Sequence, residues 1–139
     1  MAKWNSKTCY AIGIAFQMIV LILELLPLGA VMIVAPDSGE TIKWTFSYFD
    51  FTLVGNANFT PILTGILTVA SILQGIIALF RFEKAEICKI VAVTCSVIAV
   101  LSSLAPLLFF GHRYMTLTSY IISVMLAVSI YLQAAAERM

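Results

Sequence analysis

Apolar positions run almost without interruption over residues 9–35, 61–80, 90–110 and 117–136. These runs are 27, 20, 21 and 20 residues long, and Glu24 is the one charged side chain inside any of them. About 20 apolar residues rising about 1.5 Å each cross the roughly 30 Å hydrocarbon layer of a bilayer, so every run predicts a spanning helix. A membrane β-barrel would need strands of about ten residues with alternating polarity, and these runs do not alternate. The expected fold is all-α, a four-helix transmembrane bundle forming one membrane domain over residues 1–139. Boundary signals agree. Thr60 before Pro61 reads as an N-cap followed by proline at the first helical position. Phe80-Arg81-Phe82-Glu83-Lys84 and Gly111-His112-Arg113 break the later runs, and Thr116 or Thr118 can cap the fourth helix. Both later connections are short enough to make antiparallel neighbours. No internal repeat is visible, which argues against an inverted-repeat transporter within one chain.

Composition turns this pattern into an exclusion. Of the residues, 62% are hydrophobic and 11% charged, with a mean hydropathy of +1.05. Soluble domains carry about a quarter charged residues, and one small core could not hide so much apolar surface from water. A soluble enzyme and a disordered tail are thereby excluded. The net charge of +1 offers no basic field for nucleic acid. Orientation follows from Lys and Arg. With a cytoplasmic N-terminus, Lys3, Lys7, Arg81, Lys84, Lys89 and Arg138 lie inside and only Lys43 and Arg113 outside. Both termini are therefore expected in the cytoplasm, with the chain in the plasma (inner) membrane. A cleaved signal peptide fits the first 35 residues poorly, because the apolar run is long, contains Glu24 and exits into Pro36.

The longest connection, the 25-residue outer loop 36–60, is rich in aromatic residues. Trp44-Thr45-Phe46-Ser47-Tyr48-Phe49-Asp50-Phe51 places five rings in eight positions. Polarity alternates over residues 42–48, the period of a strand with one buried face, and the phase slips at Phe49. Gly55-Asn56-Ala57-Asn58 reads as a turn into the second helix. The rings can cap the bundle at headgroup level. They can also form a contact surface, for which the candidates are Trp44, Phe46, Tyr48, Phe49 and Asp50. Asn58-Phe59-Thr60 matches a glycosylation sequon, though one close to the membrane.

Leu23-Glu24-Leu25-Leu26-Pro27-Leu28-Gly29-Ala30, Phe46-Ser47-Tyr48-Phe49-Asp50 and Gly55-x-Ala57-Asn58-Phe59 together resemble uncharacterised small four-span proteins of Gram-positive bacteria. The resemblance covers the first helix, the outer loop and the start of the second helix, and implies fold and compartment but no activity. The layout is also similar to claudin-like tetraspans, whose large first outer loop forms strands. The paired loop cysteines of that group are missing here, so the likeness is one of architecture.

Chemistry centres on Glu24. Taking the first span as residues 9–35, Glu24 lies about 3 Å from its centre. A charged carboxylate there costs at least about 2.5 kcal/mol, so the side chain is expected to face the bundle and to be protonated or paired. Gly13, Gln17 and Glu24 share one helix stripe. Pro27 leaves the carbonyl of Leu23 free and predicts a kink beside the acid, as Pro106 does for Ser102. By depth, Ser102, Ser103 and Ser123 lie near Glu24, with Gln74 slightly further in. These six residues, Glu24, Gln17, Gln74, Ser102, Ser103 and Ser123, form the candidate intramembrane polar site. Ser119, Ser123 and Ala127 on helix four, and Ser71-x-x-x-Gly75 on helix two, are small-residue ribbons that permit close helix contact.

No other chemistry stands out. Cys9, Cys88 and Cys95 fall on the cytoplasmic side without a CxxC pair, which excludes a membrane disulfide-exchange enzyme. His112 is the only histidine, so two histidines cannot hold a haem within the chain. No intramembrane protease pattern occurs. The expectation is therefore no catalytic residue, no metal and no cofactor. The chain is expected to be a structural or interaction component of the membrane, its partners being the bilayer and a second copy or another membrane protein. The rival is a small proton-coupled transporter working as a dimer through Glu24, since the small multidrug transporters also place a glutamate in the first of four helices. Those chains are shorter and lack the aromatic loop.

Overall fold

A computed structural model of the chain describes residues 5–35, 37, 39–52 and 58–139. Among them are four α-helices, α1 (Ser6–Leu25), α2 (Thr60–Phe80), α3 (Glu86–Phe110) and α4 (Leu117–Arg138). All four are long and apolar enough to cross a membrane. Two strands, β1 (Ala30–Val34) and β2 (Ile42–Phe46), form an antiparallel hairpin between α1 and α2, pairing Ala30 with Phe46 and Val34 with Ile42. Helix α1 packs chiefly on α4 and α2 on α3, while α3–α4 and α1–α2 contacts close the ring.

The bundle is sorted for lipid. Each helix buries a stripe of small or polar residues at spacings of three and four. On α2 these are Thr64, Gly65, Thr68, Ser71, Ile72 and Gly75, and on α3 Ala92, Ser96, Ala99, Ser102 and Ser103. Large apolar side chains point outward instead, with Ile22, Leu73, Leu101 and Val124 each about 60% exposed. Water would drive those residues inward. A lipid solvent rewards the opposite arrangement, in which small residues let helices approach and hydroxyls bond across them. Gly13 shows the limit of approach: a Cβ there would lie 2.9 Å from Gln133 Cγ and 3.2 Å from the Ser129 carbonyl oxygen on α4.

Three boundaries differ from expectation. The apolar run 9–35 does not form one helix. Helix α1 stops at Leu25, because Pro27 cannot continue it, and the residues beyond turn back as β1. Pro27 thus ends α1 instead of kinking it, and Glu24 sits at the hairpin end of a 20-residue helix and not near its centre. Alternation over residues 42–48 does mark a strand, and its partner is the β-branched tail of the first apolar run. Helix α2 begins at Thr60 with Pro61 in its first turn, but Thr60 caps nothing: its hydroxyl donates to Asn58 Oδ1 at 3.0 Å. Helix α3 starts four residues before the expected 90, at Glu86. The turn expected at residues 55–58 lies outside the described residues apart from Asn58. That side chain is buried, so the sequon offers no exposed amide.

Thr116 caps α4 as expected, accepting from Ser119 N at 3.1 Å. Its hydroxyl also donates to the Leu28 carbonyl at 2.8 Å, so the cap of α4 ties down the turn leaving α1.

Candidate functional site

Polar side chains form a seam down the bundle interior, set by a seven-residue repeat on α1. Tyr10, Gln17 and Glu24 recur on its buried face, and all three are fully buried. Four of the six expected site residues, Gln17, Glu24, Ser103 and Ser123, fall at three levels along this seam.

At the middle level, Gln17 Nε2 donates to Ser71 Oγ at 2.9 Å and to Ser96 Oγ at 2.7 Å. Ser71 and Ser96 are themselves 2.6 Å apart, and both donate to the Ala92 carbonyl. Three helices are thus joined through one amide.

At the next level toward the hairpin, Glu24 Oε1 lies 2.8 Å from Thr68 Oγ1, which lies 3.0 Å from the Thr64 carbonyl. The Thr68 hydroxyl has a single proton. With Glu24 protonated, its O–H bonds to Thr68 and Thr68 donates to Thr64, a complete chain. An ionised Glu24 would instead hold its charge in a fully buried place with no ion pair among the described residues. Such a charge is among the most expensive groups to bury.

At the level nearest the hairpin, Ser103 Oγ bonds Ser123 Oγ at 2.8 Å and meets the Tyr48 hydroxyl at 3.4 Å. Tyr48 is the lid of the seam. It is 2% exposed, and its amide donates to the Glu24 carbonyl at 2.9 Å. Its ring sits so close to Gly29 that a Cβ there would lie 2.6 Å from Tyr48 Cε1. Ser119 donates to the Gly29 carbonyl. Burial pushes the Tyr48 phenol above its ordinary range, keeping it a neutral O–H. A cavity of about 10 Å³ lies beside it, lined by Tyr48, Asn58, Ser102, Ser103 and Ser119 among others. That is about the space of one water, and Glu24 is not among its walls.

The structure therefore brings Glu24, Gln17, Ser103 and Ser123 into the seam but joins them to other partners than depth alone suggests. Of the serines expected around Glu24, Ser103 meets Tyr48 and Ser123 bonds Ser103, while Thr68 takes the acid and donates on to the Thr64 carbonyl. Ser102 is buried and lines the outer cavity. Gln74 is half-buried and makes no described hydrogen bond. Ala127 faces outward, so the α4 ribbon runs through Ser119, Ser123, Leu126 and Ser129 instead. Thr64, Thr68 and Ser96 were not among the expected residues, Ser71 was expected only as part of a packing ribbon, and Tyr48 only in the loop contact surface. The signal was present in the hydroxyls and glycines at positions 64, 68, 71 and 75, which keep helical spacing.

Pairing along the seam is incomplete. Glu24 Oε2, Gln17 Oε1, Tyr10 Oη and both amide atoms of Gln133 are buried without a hydrogen-bond partner in the protein.

The outer candidates also divide. Tyr48 is buried, Phe46 and Phe49 pack against the core, and Trp44 is 54% exposed beside Phe46, their ring centres 6.4 Å apart. Hydrogen bonds from Thr52 hold the Asp50 carboxyl below its ordinary range, so it is ionised. No group of three or more His, Cys, Asp or Glu with metal-binding geometry occurs among the described residues, and all three cysteines are free.

No family model, curated protein or solved structure matches this chain. Function must be read from the geometry.

Proposed function

We propose that this membrane protein is a structural or interaction component of the plasma membrane, with both termini cytoplasmic and no catalytic role. The observation that carries the reading is the closure of the polar seam. Glu24 is fully buried, its Oε1 is engaged by Thr68, and its backbone carbonyl holds the amide of the buried Tyr48. A carrier site must be reached from water, whereas here the acid works as a helix-to-helix bond. The hairpin supplies the contact surface: Ile42, Trp44 and Val34 share one face, and each is at least 39% exposed beyond the root, where Ala30 is buried and Phe46 half-buried. Its partner is a second copy or another membrane protein.

A second reading, a proton-coupled transporter built on Glu24, is favoured by the unpartnered atoms along α1. Buried polar atoms without partners are rare and often mark a working site.

Single-cysteine variants in a background lacking the native thiols test orientation and contact together. Thr45→Cys is expected to react with an impermeant maleimide on intact cells, and Glu83→Cys only after permeabilisation; the reverse pattern refutes the orientation. Cross-linking from Trp44→Cys is expected to give one discrete adduct. A protein that stays monomeric at native abundance refutes the contact surface.

A further inference from the structure

We propose that the end of the bundle opposite the hairpin binds the headgroup of an anionic phospholipid. A groove of about 870 Å³ lies there between the first turn of α1 and the turn joining α2 to α3. Lys7, Arg81 and Lys84 line it, with Glu83 the one carboxylate among its walls. No carboxylate forms an ion pair with any of these three cations among the described residues. Lys89, the next cation on α3, is already engaged, its Nζ lying 3.8 Å from the centre of the Phe82 ring. The groove therefore gathers three uncommitted cations against one acid. The start of α1 adds the partial positive charge of its free N–H groups, with no acidic residue in its first turn to offset it.

Position selects the ligand. Arg81 directly follows α2, whose last residue, Phe80, is 84% exposed, and Lys84 lies three residues further on. An exposed ring at the end of a spanning helix meets acyl chains, and the cations one turn beyond meet phosphates. A phospholipid satisfies both, whereas a soluble phosphate uses only the cations. Arg81 can take two phosphate oxygens at once through its planar guanidinium, and the lysines supply point charges. A net negative headgroup, such as that of phosphatidylglycerol, gains from the excess positive charge, while a zwitterionic choline headgroup brings its own cation and gains little. Basic pockets between spanning helices at headgroup level commonly recognise lipids in this way.

The test is lipid retention by the full-length protein in mild detergent, read by native mass spectrometry against an equimolar mixture of phosphatidylglycerol and phosphatidylcholine. Phosphatidylglycerol is expected to be retained preferentially. Each cation replaced by glutamine should weaken retention about fivefold, so that Lys7→Gln, Arg81→Gln and Lys84→Gln together lower it about a hundredfold. Lys43→Gln with Arg113→Gln, at the other end, should leave it unchanged. Should the triple variant fail to fold, Arg81→Gln and Lys84→Gln are read singly, each for its fivefold loss. Equal retention of both lipids, or an equal loss in the Lys43/Arg113 control, overturns the proposal. Displacement of the lipid by millimolar inorganic phosphate at constant ionic strength overturns it too, in favour of a soluble phosphate ligand.

Discussion

Tyr48→Ala is expected to cost about 3–5 kcal/mol of stability, whereas Tyr48→Phe should cost about 1 kcal/mol. The ring is 2% exposed and belongs to the same core as Val20, Ala99, Ile122 and Leu126. Removing it leaves a void that the helices around it cannot close, because Gly29 has no side chain to move in. The hydroxyl contributes only a long contact to Ser103, and Ser103 keeps Ser123 when it is lost. The backbone bond from Tyr48 to Glu24 survives in the phenylalanine variant and loses its anchor in the alanine one. Unfolding in detergent micelles measures the energies, and hydrogen exchange over residues 42–52 reports whether the hairpin detaches. Equal effects of the two substitutions would mean that the hydroxyl, and not the ring, holds the outer segment.

Glu24→Lys should abolish stable assembly, while Glu24→Gln should stay within about 1 kcal/mol of the parent. The site is fully buried among Thr64, Thr68 and Tyr48, with no acid beside it to receive an ammonium. A buried unpaired cation costs several kcal/mol, a large part of the 5–15 kcal/mol that folded domains commonly possess. Glutamine matches the protonated carboxyl in shape, and its amide can donate to Thr68 as the acid does. Thermal unfolding and expression level decide between them. A glutamine variant as damaged as the lysine one would mean that Glu24 is ionised and paired, and the chain from Glu24 through Thr68 to Thr64 would then be wrong.

The helices were legible because lipid imposes one strong rule, about 20 apolar residues per span, and residues 61–80, 90–110 and 117–136 each obey it. The first run misled because that rule does not separate helix from strand. Ala30–Val34 is as apolar as the helix before it, and only Pro27 and Gly29 mark the change. Alternation marked β2 as a strand but not its exposure: Ile42 and Trp44 of its apolar face stay exposed and only Phe46 is partly covered, whereas both faces of the β1 root are covered, Ala30 on one and Val31 on the other. Within the seam, depth placed Glu24 among hydroxyls but could not assign the rotation of each helix. Thr68 and Ser103 lie on facing stripes, yet only the first turns toward the acid. Tyr48 was legible as one aromatic residue among five, and nothing in its local sequence separates a buried lid from the exposed Trp44 and Phe51.

The central claim is that Glu24 is a closed structural bond and does not carry protons. Purified protein reconstituted in liposomes under a pH gradient, with a pH-sensitive dye inside, tests this directly. The gradient is expected to decay at the rate of empty vesicles, and Glu24→Gln should not alter it. Faster decay with the parent protein that Glu24→Gln returns to the empty-vesicle rate would contradict the claim and make Glu24 the proton site of a carrier.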